Sequence, residues 1–207
     1  MAKPVLHDYW RSSAAYRVRI GLNLLGQPYE AVPVDLLNGE QRGVENRALN
    51  PQGLVPTLEV DGLVLTQSLA ILEYLDETRG AGWLPANPGL RARVRALAYA
   101  VAMDIHPVCN LHVVRHAVAL GGTTTEGWMQ HFIGAGFVGL EGMLAQDTAG
   151  RFCQGDTISL ADICLVPQVY SARRFGLDLA PWPALTAAAD RAAERPAFQA
   201  AHPDRQP

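Results

Sequence analysis

The chain has 207 residues, of which 49% are hydrophobic and 18% charged, and its formal net charge is -3 at pH 7. This composition is typical of a folded protein with one large or two small domains, and it excludes a disordered chain. The slightly negative charge gives no general basic surface, so we expect no nucleic-acid partner.

The sequence carries no signal for export or membrane insertion. The apolar run at 96–103 is far shorter than the about 20 residues that cross a bilayer, and the N-terminus lacks the apolar segment of a secretory signal. Cys109, Cys153 and Cys164 are odd in number and form no C-x-x-C pair, which disfavours a disulfide framework or structural zinc. We therefore expect a cytoplasmic protein that does not contact membranes.

The first 80 residues alternate between strand and helix patterns. In chain order they predict a strand at 5–9, a helix at 14–25, a strand at 29–34, a loop with a short helix at 36–49, strands at 57–60 and 63–65, and a helix at 68–79. Asp61-Gly62 is a two-residue hairpin signal, Pro33 favours a sheet edge, and Ser68 is the expected cap of the last helix. The helix at 14–25 has Val18, Leu22 and Leu25 on one face, with Arg17, Arg19 and Asn23 turned elsewhere.

After a Gly- and Pro-rich linker at 80–88, the hydrophobic periodicity is helical throughout. A long helix that begins near Gly89 meets Pro107, which is expected to kink or interrupt it. The order β-α-β-α-β-β-α followed by helices alone predicts an α/β domain at 1–82 and an all-α domain at 88–207.

Two pairs of residues in the second part show the spacing of a capping box, in which a hydroxyl and an acid three residues later stabilise a helix start. Thr123 and Glu126 form one pair. Ser159 and Asp162 form the other, ahead of an apolar helix at 163–175, and we interpret Asp162 as a buried structural cap.

Two hydroxyls stand where the first strand turns into the first helix. They are Ser12 and Ser13, and Arg11 precedes them. Serine at a helix start satisfies a backbone N–H group, and the helix terminus favours negative charge, so this corner suits an anion. An ordinary capped helix explains the segment equally well, and the neighbouring motifs have to decide between the two interpretations.

Six segments, taken in order, resemble the glutathione transferases and, among them, the zeta class or maleylacetoacetate isomerase family. They lie at 12–20, 48–51, 55–58, 67–71, 161–169 and 197–199. The resemblance implies a thioredoxin-like, glutathione-binding first domain, an all-helical substrate-site domain, and a homodimer. It also implies glutathione-dependent cis–trans isomerisation of maleylacetoacetate to fumarylacetoacetate, a step of tyrosine and phenylalanine catabolism.

The resemblance also implies which residues form the site. The implied catalytic residues are Ser12, Ser13, Arg11 and Arg174. The implied glutathione-binding residues are Ser12, Ser13, Gln41, Gln52, Val55, Gln67, Ser68, His106, Asn110 and His112. Val55 precedes a proline that is cis in the family, the alternative being a trans proline that opens a strand. For Gln41 and Gln52 the alternative is a solvated loop, and for Arg174, as for Arg173, it is an arginine that complements a helix C-terminus.

The proposed chemistry requires a thiolate. A free thiol has a pKa of about 8.5, and lowering it by about two units requires roughly 2.7 kcal/mol of selective stabilisation. A hydroxyl that donates to a charged acceptor supplies ~1.5–3 kcal/mol, and a helix N-terminus adds ~0.3–1. One of the two serines and the helix start therefore suffice, and the sequence leaves open which serine it is.

Three features bear on the alternatives. Many family members have Cys at the position of Ala14, so this chain forms no mixed disulfide there, and a thiol–disulfide reductase is disfavoured. Related maleylpyruvate isomerases usually carry Arg at the position of His112, which favours maleylacetoacetate over maleylpyruvate. His112 and His116 lack the Glu of a zinc helix, so we expect no metal. A broader transferase, an α-halo acid dehalogenase and a ligand carrier remain alternatives.

Overall fold

The computed structural model describes residues 3–146 and 150–206. They form two compact units, one made of Met1–Ala81 with Arg195–Pro207 and the other of Gly82–Glu194. The first contains a four-stranded sheet with helices and the second is helical, so the predicted fold class is confirmed. The C-terminal segment packs with the α/β unit, whereas the sequence grouped it with the helical part at 88–207.

The sheet has the strand order β2-β1-β3-β4. Its strands are β1 (Val5–Asp8), β2 (Glu30–Pro33), β3 (Thr57–Val60) and β4 (Leu63–Thr66). β1 is parallel to β2 and antiparallel to β3, and β3 is antiparallel to β4. Pro33 lies on an edge strand, where a missing N–H donor is tolerated. Asp61 and Gly62 have φ values of 54° and 79°, as a tight hairpin turn requires.

The helices of the described chain follow the predicted order. They are α1 (Ser13–Leu24), α2 (Val44–Leu49), α3 (Ser68–Arg79), α4 (Pro88–Tyr99), α5 (His106–Val108), α6 (Leu111–Leu120), α7 (Thr125–Ala145), α8 (Leu160–Arg174), α9 (Pro183–Ala193) and α10 (Pro196–Ala201). Short 3-10 turns occur at Glu40–Arg42 and Pro203–Arg205.

Helix α1 is buried on more than the one face that its periodicity predicts. Val18 and Leu22 are in the core as expected, but Arg17 and Arg19 are also buried, with exposures of 1% and 0%. The reason is that α1 packs against both α3 and α10. Periodicity identifies the apolar face of a helix, but not how many neighbours cover its other faces.

The long helix predicted near Gly89 begins one residue earlier, with Asn87 as cap and Pro88 at its first position. Its hydrogen-bond pattern widens to a π-helix over Ala100–Ile105, immediately before the α5 segment that contains Pro107. The predicted interruption is therefore confirmed. Proline lacks an N–H donor, which favours such a break.

The two predicted capping boxes have different outcomes. Thr124, and not Thr123, caps α7, and its Oγ1 accepts from the N–H of Gly127 at 3.0 Å. At α8 the prediction is confirmed, because the Ser159 N–H and hydroxyl donate to Asp162 Oδ2 at 2.9 and 2.7 Å. Burial raises the pKa of Asp162, and its hydrogen bonds oppose that shift.

Within the described residues no single helix is long and apolar enough to cross a membrane. The helical stretches Pro88–Val108 and Leu111–Leu120, bent by 41° at their junction, meet the length and composition criteria only as a pair.

Candidate active site

The strand register brings three loop segments to one end of the sheet. His7 near the end of β1 pairs with Thr57 at the start of β3, and Thr57 pairs with Thr66 at the end of β4. The corner after β1, the loop before β3 and the start of α3 therefore lie at the same end. Each of these three segments contains residues that the sequence predicts for the site, and the fold brings the segments to one end of the sheet.

The corner after β1 is an ordered turn. The N–H of Ser12 donates to the carbonyl of Tyr9 at 2.8 Å, and Ser12 Oγ accepts from the N–H of Ala15 at 3.2 Å. Ser12 is therefore the N-cap of α1. Ser13 is the first helical residue, half-buried, and its hydroxyl makes no hydrogen bond within the residues that the structure describes. The Arg11 guanidinium is exposed and lies 4.0 Å from the centre of the Trp10 ring.

The loop before β3 is held by Asn50. Its Nδ2 donates to the carbonyl of Leu54 at 3.0 Å, and its Oδ1 accepts from the N–H of Gln52 at 3.1 Å. The peptide bond between Val55 and Pro56 is cis, so the alternative of a trans proline is wrong. The exposed side chain of Gln52 also accepts from Gln67 Nε2 at 2.8 Å, which connects this loop to the start of α3.

The start of α3 differs from the sequence prediction. Gln67, with φ of 67°, is the N-cap, and Ser68 is the first helical residue. The prediction that Ser68 caps this helix is therefore wrong. Its buried hydroxyl instead accepts from Nη1 of Arg17 at 3.2 Å. A residue at a helix start still presents its backbone N–H group to an anion.

Gln41 lies beside the same loop. Its carbonyl accepts from Asn46 Nδ2 at 2.9 Å, and a Cβ built on Gly53 would lie 3.1 Å from that carbonyl oxygen. Gly53 also has φ of 63°, so glycine suits this close approach. Gln41 Oε1 is buried and has no hydrogen-bond partner in the described part of the chain.

The helical unit carries the remaining predicted residues. His106 begins α5, Asn110 is the cap of α6, and both are half-buried, whereas His112 is exposed on α6. Trp128 of α7 holds this region through a hydrogen bond from Nε1 to the carbonyl of Val108 at 2.9 Å.

Two adjacent arginines end α8 and have different partners. Arg173 pairs with Asp190 at 2.8 Å, a structural contact. Arg174 is exposed, and its guanidinium lies 4.8 Å from the centre of the Phe175 ring. Arg174 is therefore the more accessible of the two to a dicarboxylate.

Residues 11–78 match the family model of the glutathione S-transferase N-terminal domain. The maleylacetoacetate isomerase of Rhizobium meliloti strain 1021 is 60% identical over 205 residues, which cover 97% of this chain and 96% of that protein. The chain belongs to the zeta-class maleylacetoacetate isomerase family. The predicted family is thereby confirmed.

Solved structures of the maleylacetoacetate isomerase family superpose over nearly the full chain. A maleylpyruvate isomerase, described as a bacterial zeta-class glutathione transferase, has a TM-score of 0.94 at 44% identity, covering 98% of each chain. A maleylacetoacetate isomerase from Anaeromyxobacter dehalogenans 2CP-1, with glutathione in its active site, has a TM-score of 0.89 at 47% identity, covering 99% of this chain and 97% of that one. A further structure of that enzyme holds dicarboxyethyl glutathione and citrate there.

Sequence reasoning for this isomerase family member missed two buried arginines next to the corner. Arg17 contacts Ser68, and Arg19 pairs with Asp8 at 2.7 Å. The available signal was an acid at the end of the first strand followed by two arginines within the apolar helix, and it does not specify the pairing. Across the described residues, no group of three or more His, Cys, Asp or Glu side chains is placed to hold a metal ion.

Proposed function

We propose that the protein is a glutathione-dependent cis–trans isomerase that converts maleylacetoacetate to fumarylacetoacetate. The observation that carries this proposal is the 60% identity to a maleylacetoacetate isomerase over nearly the whole chain. The corner at Ser12 and Ser13, at the same sheet end as the cis Val55–Pro56 bond, supports it.

The residues at this sheet end fit glutathione. Glutathione offers amide and ammonium donors, and Gln41 Oε1 is a buried acceptor that no described residue uses. Val55 offers backbone groups beside the cis bond, and Gln67 and Ser68 offer the N-terminal backbone of α3 to a carboxylate. Gln52 is connected to Gln67 by a hydrogen bond and is assigned to the same ligand. The assignment of His106, Asn110 and His112 to glutathione stays a prediction.

We assign activation of the glutathione thiol to the groups at the start of α1. Ser12 Oγ accepts from a backbone N–H, which leaves its hydroxyl proton free to be donated to a negatively charged sulfur. Ser13 supplies a second half-buried hydroxyl in the first turn, and the α1 N-terminus favours the anion. Together these groups supply about the 2.7 kcal/mol that a drop of two units in the thiol pKa requires.

Bound glutathione supplies the nucleophilic thiolate whose reversible addition to the cis double bond permits rotation before elimination restores glutathione. Arg11 and Arg174 are assigned to the substrate carboxylates, because a guanidinium binds a carboxylate with two parallel hydrogen bonds. Both guanidinium groups are exposed and not engaged by an ion pair among the described residues. They would also stabilise negative charge that develops on the substrate.

Maleylpyruvate is the second candidate substrate. A structure of a maleylpyruvate isomerase has a TM-score of 0.94 to this chain, which keeps that alternative open. This chain has His112 where related maleylpyruvate isomerases usually carry Arg, which supports maleylacetoacetate as the substrate. We further propose a cytoplasmic homodimer that acts in tyrosine and phenylalanine catabolism.

The test follows the absorbance of maleylacetone, a stable analogue of maleylacetoacetate, with and without glutathione. Isomerisation that requires glutathione without consuming it is the expected result. The double variant Ser12→Ala/Ser13→Ala is expected to lose at least ~10²-fold in turnover. No isomerisation by the wild-type protein in the presence of bound glutathione would contradict the proposal, and maleylpyruvate is then the substrate to assay.

A further inference from the structure

A buried arginine lies directly behind the corner that carries Ser12. Arg19 has no solvent exposure, and its Nη1 donates to both carboxylate oxygens of Asp8 at 2.7 Å. A buried charge is costly unless it is paired and its remaining donors are satisfied. Because Arg19 is paired with Asp8, its burial is tolerated as long as its remaining donors also find acceptors.

The remaining donors of Arg19 reach two further segments. Nη2 donates to the carbonyl of Trp10 at 2.9 Å, and Nε donates to the carbonyl of Ala201 at 3.0 Å. Trp10 is inside the turn that the hydrogen bond between Tyr9 and Ser12 closes. One guanidinium thus connects the end of β1, the corner and the C-terminal helix α10.

Two other side chains of α1 also bind the backbone of α10. The Tyr16 hydroxyl donates to the carbonyl of Phe198 at 3.4 Å, and Asn23 Nδ2 donates to the carbonyl of Ala197 at 3.2 Å. Together with Arg19, these residues are spaced by three and four positions, so they form one stripe along α1. The Arg19 side chain in addition binds the backbone of the corner, at the carbonyl of Trp10.

The Trp10 carbonyl belongs to the peptide plane that leads into Arg11 and then Ser12. Holding that plane in place restrains the turn from which the Ser12 hydroxyl projects. A hydrogen bond weakens steeply with misalignment, so a small rotation of the corner reduces stabilisation of a bound thiolate.

We infer that Arg19 is a positioning residue, which uses Asp8 and the C-terminal helix as anchors to orient the turn that presents Ser12. This inference rests on the proposed function, in which that turn activates glutathione. Helix α10, which is distant in the sequence, would then help to orient the corner through the hydrogen bond from Arg19 to the Ala201 carbonyl.

The experiment compares Arg19→Lys with Asn23→Ala. Lysine keeps the charge beside Asp8 but lacks the planar fork needed to reach both carbonyls as well. Asn23→Ala removes one contact to α10 and leaves the corner untouched. The readouts are the pH titration of enzyme-bound glutathione by thiolate ultraviolet absorbance, the affinity for glutathione by calorimetry, and kcat with maleylacetone.

Arg19→Lys is expected to raise the pKa of the bound thiol by about one unit, which lowers kcat about threefold at pH 7 and about tenfold near pH 5.5, with glutathione affinity within about threefold. Asn23→Ala is expected to change the thiol pKa by less than about 0.3 and kcat by less than about twofold. Equal effects of both variants on the thiol pKa, or no effect of Arg19→Lys, would overturn the inference. Equal effects would mean that the loss of a contact between α1 and α10, which both variants share, explains the shift.

Two provisions keep the test decisive. If Arg19→Lys does not fold, the double variant Asp8→Asn/Arg19→Gln removes both charges and leaves no unpaired ion, and the same titration is made on it. If the wild-type protein lowers the thiol pKa of glutathione but does not isomerise maleylacetone, the proposed function fails. The titration still decides the role of Arg19 in that case.

Discussion

Replacing Ser12 with alanine tests the two roles that one hydroxyl combines. Its oxygen accepts from the N–H of Ala15 at 3.2 Å, which makes it the N-cap of α1. Its proton is the one that we propose to be donated to the glutathione thiolate. Ser12→Ala therefore affects both the stability of the fold and the ionisation of the bound thiol.

The two effects have separate magnitudes. Loss of the cap is expected to lower the free energy of unfolding by about 1 kcal/mol. Loss of a hydrogen bond to a charged acceptor, worth ~1.5–3 kcal/mol, is expected to raise the thiol pKa by about one to two units. Because the reactive form is the deprotonated one, this shift moves the rising limb of the pH profile to higher pH. With a wild-type thiol pKa of about 6.5, the rate at pH 7 falls about 3- to 25-fold, and the loss approaches about 10- to 100-fold at lower pH and shrinks as the pH rises.

The assay measures kcat/KM for maleylacetone across pH, together with chemical denaturation of the same samples. Ser13→Ala is the matched control, because the Ser13 hydroxyl makes no hydrogen bond among the described residues and is not the cap. It is expected to leave stability within about 0.5 kcal/mol of the wild type. A Ser12→Ala enzyme that loses stability but keeps the wild-type pH profile would refute the assignment of the donor to Ser12.

Three further predictions concern the helical unit. A Cβ on Gly136 would clash with the buried side chain of Ile105, so Gly136→Ala is expected to lower the free energy of unfolding by about 1–3 kcal/mol in denaturant titrations, whereas Gly139→Ala, which meets open space, is expected to raise it by about 0.5–1 kcal/mol. Burial raises the pKa of Cys109 to about 11, so its alkylation at pH 8 should be about 100-fold slower than that of an ordinary exposed thiol, and an equal rate would contradict this. Asp162→Ala removes the acceptor of three hydrogen bonds and is expected to lower the free energy of unfolding by about 3 kcal/mol, a loss of under 1 kcal/mol being inconsistent with its buried role.

The features that the sequence predicted well depend on residues close together in the chain. The hairpin at Asp61 and Gly62 needs two positive φ values, which these residues adopt readily. The capping arrangement of Ser159 and Asp162 spans only three positions. In both cases the local residues alone select the conformation.

The errors arose where a local signal had two solutions. Thr123 and Thr124 are both able to cap a helix, and the structure uses Thr124. Ser68 was predicted as a cap, but Gln67 takes that position, and the Ser68 hydroxyl is bound by a buried arginine. A side chain from another element decided that outcome, and no spacing rule contains it.

The sequence by itself determined the order of strands and helices, the corner at Ser12 and Ser13, and the family to which the chain belongs. Only the tertiary structure decided which serine caps α1 and which partners the buried arginines take. Arg17 and Ser68 are 51 residues apart, and Arg19 and Ala201 are 182 apart. Helix periodicity and capping act over a few residues, whereas burial of a charge depends on whatever the complete fold places around it.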